Sequence, residues 1–455
     1  MALSGSDPVA SAPTYGEAAP VPVASFAAML GQTWPLLLGV GLLSVGSGLQ
    51  ATLLGVRAGI EGYSSELLGF LMAGYFAGFM AGAVWTPRAV KSVGQIRVFA
   101  ALAAVGSIAI LVQATVVDPT VWIVMRILSG FCFAGIYVIA EAWLNQASDN
   151  ANRGRLLAAY MVVSFGGIVG GQALMVTASP ETTSLFMVTS VLISIAAVPM
   201  LLTATQSPPP PETQTVLMLR LYRVSPLGAV GTFAAGLING SVFGMAAIYA
   251  QARGLSIFEI TLFVSIVILS GAALQYPVGR LSDIIDRRLA IGLTALVTCL
   301  SALVAALFAD RSETAFLLAF AVVGGFSLSI HALSIAYTND YLEPTELVGA
   351  SSGLVLIMSM GAVVGPLVVG VLMGQFGPGS YPLWLAAIGA GLLVFTIFRM
   401  IRRESLPAEA QGPYVAVTPQ ASQVAVQWAE EYHSEEVQAE LESDSESVDP
   451  DRKNN

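Results

Sequence analysis

Lysine is almost missing from this chain. Of 455 residues only Lys91 and Lys453 carry it, and neither falls in an apolar stretch. A phosphate-loop ATPase needs the lysine of its G-K-[ST] run, and a retinal pump needs a buried lysine for its Schiff base. Both classes are excluded. Histidine is equally scarce: His331 and His433 are the only two. No nucleophile–base pair and no metal-ligand cluster accompanies them, so the sequence points to neither an enzyme nor a cofactor or metal. Cys132 and Cys299 lie inside apolar runs and imply no disulfide framework. Charge is the largest deficit. Only 11% of residues are charged and 55% are hydrophobic, whereas soluble domains carry about 25% charged residues. This is the composition of a protein in a lipid bilayer.

Twelve apolar segments are long enough to cross a bilayer, which takes about 20 residues. They run Trp34–Leu54, Leu67–Trp85, Ile96–Val117, Val121–Leu144, Leu156–Ala178, Ser184–Thr203, Pro226–Ala250, Ile260–Val278, Leu289–Ala309, Thr314–Thr338, Val348–Gln375 and Tyr381–Ile401. We number them spans 1 to 12. The expected fold is an all-α membrane protein of two six-helix bundles, residues 31–205 and 226–403. A polar cytoplasmic connector, 206–225, holds Pro208–Pro211 between them. Residues 1–30, rich in Ala, Pro and Ser, read as a disordered tail without the basic start of a removable signal. Residues 404–455 hold twelve acidic and two basic residues and so account for the whole net charge of −10. They read as an acidic disordered tail, and no nucleic-acid partner follows from their charge. Val424, Trp428 and Tyr432 are spaced by four, as on one face of a short docking helix, but a solvated tail is the expectation.

Loop charge sets orientation. Arg88, Lys91, Arg97, Arg153, Arg155, Arg220, Arg223, Arg280, Arg287, Arg288, Arg399, Arg402 and Arg403 fall on one side, and only Arg57, Arg253 and Arg311 on the other. The first side is expected to face the cytoplasm with both termini. The halves also repeat. A shift of 195 residues lays Gly130, Gly154, Ser164, Gly166, Val169 and Gly170 on Gly325, Gly349, Ser359, Gly361, Val364 and Gly365. Glycines spaced by four, Gly74, Gly78 and Gly82, then Gly166 and Gly170, then Gly361 and Gly365, are expected to mark close helix contacts.

Between spans 8 and 9 the chain reads G-R-L-S-D-I-I-D-R-R, Gly279 to Arg288. This resembles the loop signature of the major facilitator superfamily, G-x-L-x-D-[RK]-x-G-[RK]-[RK]. Gly279, Leu281, Asp283, Arg287 and Arg288 match, while Ile284 and Asp286 depart from it. Arg126 followed by Gly130 resembles the family's span-4 motif, and Glu141 opens E-A-W-L-N, which looks like a functionally unassigned group of bacterial permeases. The exporters' Gly-x-x-x-Gly-Pro of span 5 is not matched. Gly171 stands at its proline position and Pro366 appears in span 11 instead, which weakens a drug/proton antiport reading. The resemblance implies alternating access by two bundles around a site lined by spans 1, 4, 7 and 10.

Arg126 needs a partner or a wet cavity inside a span. Glu141 lies fifteen residues on, about 22 Å along the helix and about 60° around it, so both can face one cavity. Ser327, His331, Ser334 and Thr338 share one face of span 10. His331 is a candidate proton carrier or a satisfied buried group. Asn239 and Gln50 are further candidates to line the cavity, or to join helices. The loops suggest a cytoplasmic gate. Asp283 and Asp286 would meet Arg153 and Arg155, and Arg88 and Lys91 would meet Asp340, Glu343 and Glu346, closing that side and favouring an outward-open state. The resulting reading is a monomeric secondary transporter of a small solute in the cytoplasmic membrane, coupled to protons through Glu141 or His331. A uniporter, or a receptor or scaffold signalling through its tail, is the alternative.

Overall fold

Each of the twelve apolar runs becomes one helix long and apolar enough to cross a membrane. The computed structural model describes residues 26–148, 152–203, 218–343, 346–402, 411–412, 414, 416–418 and 422–428. The spans are Phe26–Ile60, Ser65–Val93, Gln95–Thr115, Pro119–Ala147, Arg153–Leu174, Ser184–Thr203, Pro226–Ala252, Ile257–Ile284, Arg287–Phe308, Glu313–Asn339, Leu347–Phe376 and Ser380–Arg402. Span 10 stays helical through Leu328, at φ −69° and ψ −20°, and its two stretches, Glu313–Ser327 and Ser329–Asn339, form one span. Several expected boundaries shift: span 2 runs on to Val93 and span 8 to Ile284, so the helix takes in the first residues of the signature turn. Span 1 starts at Phe26 because the apolar run Phe26–Leu30 continues the helix without a breaker, and a short helix, Met218–Val224, lies inside the connector.

Local chemistry fixes the ends. Asp118 accepts from the Val121 N–H and is followed by Pro119 at the first position of span 4, where a missing N–H costs nothing. Ser256 and Glu259 cap each other at the start of span 8. Gly94, Gly254 and Gly377 take positive φ in the turns, at 89°, 79° and 80°. Asp286, the residue that departs from the signature turn, accepts from the Arg288 N–H and caps span 9.

Spans 1 to 6 pack among themselves through pairs 2·4, 1·5, 1·6, 3·4 and 3·6, and spans 7 to 12 through 7·11, 9·12, 8·10 and 9·10. Glycines let the backbones touch. A β-carbon on Gly78 or Gly82 would collide with the Ile127 or Phe131 carbonyl oxygen, and one on Gly130 with that of Tyr75. Gly361 and Gly365 lie likewise on the backbone of span 7. Span 5 differs from the expectation. Gly166 faces open space and Gly170 makes only ordinary contact with the Val45 side chain. Gly167 and Gly171 lie against span 1 instead, at Ser44 and the Val45–Leu49 backbone. The repeat thus relates the two halves, with the contacting glycines of span 5 one residue later.

The halves meet through spans 2·11, 1·7, 5·8 and 2·7. At the face opposite the termini the closure is tight. Gln251 donates to the Val56 carbonyl at 2.9 Å, and a β-carbon on Gly69 would sit 2.6 Å from the Pro366 carbonyl oxygen. At the face where span 1 begins and span 12 ends, the described residues between 411 and 428 lie between the halves. The expected solvated tail is therefore not what these residues show. Val417, Val424, Ala425, Val426 and Trp428 are buried. Tyr432 lies outside the described residues.

Candidate functional site

Three groups of buried polar side chains stand out, and they occupy different levels of the molecule. In the first, Arg126 of span 4 is 3% exposed. Its guanidinium lies 4.4 Å from the centre of the Tyr75 ring and 3.9 Å from the Met72 sulfur. Its Nε has no partner, and no carboxylate pairs with it among the described residues. An aromatic face offsets only part of the cost of burying a cation. Met72 in turn sits against Gly244 of span 7, so the cation lies beside the seam between the halves. Gln50 of span 1 completes this group, reaching Gln113 at 3.3 Å and Ser129 at 3.4 Å.

The second group lies between spans 7 and 10. Gly228 faces Thr338 and Gly231 faces Ser334. The two helices run antiparallel, and eleven residues are three turns. Eleven residues on from Gly228 is Asn239, and eleven back from Thr338 is Ser327, so these two share the seam. Both side-chain atoms of Asn239, both ring nitrogens of His331, Ser327 Oγ and Thr232 Oγ1 are buried without a hydrogen-bond partner. Ser334 is not among them, because its hydroxyl donates back to the Ile330 carbonyl at 2.7 Å. Buried polar atoms without partners are rare in folded proteins and call for a ligand or water.

Glu141 belongs to a third group. It is fully buried. Tyr160 of span 5 donates to its Oε1 at 2.5 Å and Ser422 donates to its Oε2. No cation bonds it among the described residues. The distance and rotation along span 4 turn Arg126 toward span 2 and Glu141 toward span 5, so the two are not brought onto one set of neighbours.

The expected gate charges are arranged otherwise. Asp283 meets Arg287 of its own turn at 3.2 Å and the Tyr414 N–H at 2.9 Å, rather than Arg153. Arg287 grips both oxygens of Asp340 at 2.7 Å. Asp286 pairs with Arg288 at 2.6 Å. Arg88 donates to the Val84 carbonyl of its own helix, Glu346 takes Arg220 of the connector, and Glu343 is exposed. Arg153 and Arg155 lie in the first turn of span 5. The aspartates of the turn are thus met within the C-terminal half and by the 411–428 segment, and the tight closure lies at the face opposite the termini rather than at the face where the loops suggested a gate. The reason is local: span 8 ends at Ile284 and span 9 begins at Arg287, so the two-residue break at Ile285 and Asp286 brings Arg287 back beside Asp283. Burial pushes the Asp340 carboxyl up to about 6, although Arg287 and the Gly412 N–H pull it down. Burial also raises Asp286, but its bonds to Arg288 outweigh this and hold it below the usual range. No group of residues able to hold a metal ion occurs among the described residues.

The contact of residues 411–428 with Glu141 and with the signature turn was missed in the sequence. The available signal was a gap in charge. Between Glu409 and Glu430 the tail carries no charged residue.

The Major Facilitator Superfamily family model matches residues 36–229 and again 228–432. The chain is 26% identical over 374 residues to the uncharacterized MFS-type transporter YcaD of Escherichia fergusonii, covering 82% of this chain and 96% of that one. To the YcaD of Escherichia coli O139:H28 it is 26% identical over 356 residues, 78% and 92% of the two chains. Among solved structures the nucleoside transporter NupG superposes with a TM-score of 0.63 at 14% identity, over 82% of this chain and all of that one. The human organic anion transporter MFSD10 superposes with a TM-score of 0.57 at 14% identity, over 81% and 99%. With twelve spans in two repeated halves, a signature turn after span 8 and a family model that covers both halves, the chain belongs to the Major Facilitator Superfamily and is a multi-pass membrane transporter.

Proposed function

We propose that the protein carries a small polar solute across the cytoplasmic membrane by alternating access, driven by protons, with the face of the termini toward the cytoplasm. The observation that carries this reading is two sets of unsatisfied groups, one beside the seam of the halves and one between spans 7 and 10. Arg126 is a buried cation without a carboxylate, and Asn239, Ser327 and His331 are buried hydrogen-bonding groups without partners. A solute with an acidic or strongly polar end for Arg126 and hydrogen-bonding groups for Asn239 and His331 would satisfy both. Rocking of one half against the other would then expose it to each side in turn. The excess of basic loop residues on the face of the termini supports the orientation. Glu141 and His331 are two buried groups inside spans that could take up and release a proton, and a carboxylate held by two hydroxyls can change charge without breaking an ion pair. The protein acts as a monomer in this reading.

A thermal-shift screen of the purified protein against metabolites at two pH values would find the solute. Reconstituted vesicles would then test the mechanism. A pH gradient should drive accumulation of the solute that stabilises the protein. Glu141→Gln or His331→Gln should abolish gradient-driven accumulation while leaving exchange of solute across the membrane intact. A solute that binds yet never crosses would overturn the reading.

A further inference from the structure

The space between the halves on the face of the termini is occupied by the chain itself. On the side of the C-terminal half, the Tyr414 N–H donates to Asp283 and the Gly412 N–H to Asp340 at 3.2 Å. Arg287 donates to the Gly412 carbonyl, and Gln275 of span 8 donates to that of Val417 at 2.7 Å. The Tyr414 ring lies where a β-carbon on Gly279 would be. The matched residues of the signature turn, Gly279, Asp283 and Arg287, thus each touch the segment. On the side of the N-terminal half, Ser422 bonds Glu141 and Gln423 donates to the Ala83 carbonyl of span 2 at 3.4 Å. Residues 423–428 form a short helix, all of them buried, and the Trp428 indole lies 6.1 Å from the Tyr160 ring. Thr418 closes a gap of about 10 Å³ lined by Ser44, Tyr137, Tyr160 and Ser164.

We propose that residues 411–428 are a tethered plug: the vestibule is a binding surface for this uncharged, aromatic-ended segment of the same chain, which must withdraw before the halves can close over that face. The chemistry of the segment suits the place. A charged stretch would lose its hydration there without a countercharge. This one offers backbone N–H and C=O groups to the turn, one hydroxyl to Glu141 and an indole to Tyr160. It spans both halves, so closure on that side and occupancy by the segment exclude each other. The consequence for transport rests on the alternating-access reading; the docking does not.

The test uses the full chain with Cys132→Ala and Cys299→Ala. Gln423→Cys with Ala83→Cys should form an oxidative cross-link, detected as a joined peptide by mass spectrometry. A control pair of Gln423→Cys with Gly62→Cys in the turn after span 1 should not. Trp428→Glu and the milder Ser422→Ala should each lower the cross-link yield, by at least fivefold and threefold. A second readout follows the vestibule. Ser164→Cys should react slowly with a water-soluble maleimide, and at least tenfold faster once Trp428→Glu is added. A cross-link no more frequent than the control, or a Ser164→Cys rate unmoved by both tail variants in protein that remains monodisperse, would overturn the plug. Neither readout needs a transported solute, so failure here is distinguishable from failure of the transport reading.

Discussion

A buried guanidinium resting on a tyrosine ring has two opposite effects, and Arg126 separates them. Its charge is buried, and among the described residues it contacts the Tyr75 ring and the Met72 sulfur. Removing that charge should therefore help the empty protein, by about 1–3 kcal/mol from relief of an unsatisfied polar group. The same change removes a fixed positive charge beside the seam. Arg126→Gln is expected to raise the melting temperature of the ligand-free protein and to abolish the shift given by a stabilising solute. A fall in stability with ligand response intact would assign Arg126 to structure instead. Asp340 carries a second prediction at this scale. Its carboxyl is raised to about 6 where it is buried beside Arg287, the Gly412 N–H and the Asp283 carboxylate. With the segment withdrawn this carboxyl gains water on that side, and its pKa falls. A raised acid favours its protonated form, so docking is strengthened as pH falls through about 6 and loses that contribution as pH rises above it. Spin-label distances between positions 83 and 423 should show more docked segment at pH 5 than at pH 7.5. Glu141 also touches the segment, so Asp340→Asn is the deciding variant: it should remove most of the dependence.

Helices in this protein are positioned by where a side chain is missing. Gly130 lies on the Tyr75 backbone, which cannot move aside as a flexible side chain can. Gly166 faces nothing within 4 Å. Gly130→Val is thus expected to cost more than the usual 1–3 kcal/mol of overpacking and to leave little monodisperse protein. Gly166→Ala should stay within about 0.5 kcal/mol of the parent, like other substitutions away from tight contacts. Melting temperatures of the two variants decide it. The same positions show how far the sequence reached. Span number follows from hydropathy alone, because a bilayer demands long apolar runs whatever their packing; the two halves follow from the connector and the repeat, and the signature turn from its resemblance to the family's loop motif. Which glycine of span 5 makes contact does not follow, since Gly166, Gly167, Gly170 and Gly171 differ only in which way the helix faces. Of the candidate site, Arg126, Asn239 and His331 were visible as polar residues in apolar runs. Their separation from Glu141 was not, because it depends on which neighbour each face of span 4 meets. The docked segment was hidden by averaging: twelve acidic residues in the tail mask the uncharged stretch between Glu409 and Glu430.

At the scale of the whole molecule, two closures compete. The face opposite the termini is sealed by Gln251 on Val56 and by the Gly69–Pro366 backbone contact, while at the other face the described residues of the 411–428 segment bond to both halves. A rigid pair of bundles that rocks about the seam cannot be closed on both sides with the segment in place, so withdrawal of the segment and opening of the far face are linked. The size of the effect can be bounded. Moving a minor state from about 1% to about half of the population takes about 2.7 kcal/mol, close to the cost of deleting one large buried aromatic contact. Spin labels at Gly62 and Gly254, in turns on the far face, should therefore report a single short distance in the parent chain. In Trp428→Glu a second, longer population should appear and grow. If the far face keeps its single short distance while the segment is demonstrably displaced, the two closures are not coupled. The segment would then brace the vestibule without setting which side of the membrane the site faces.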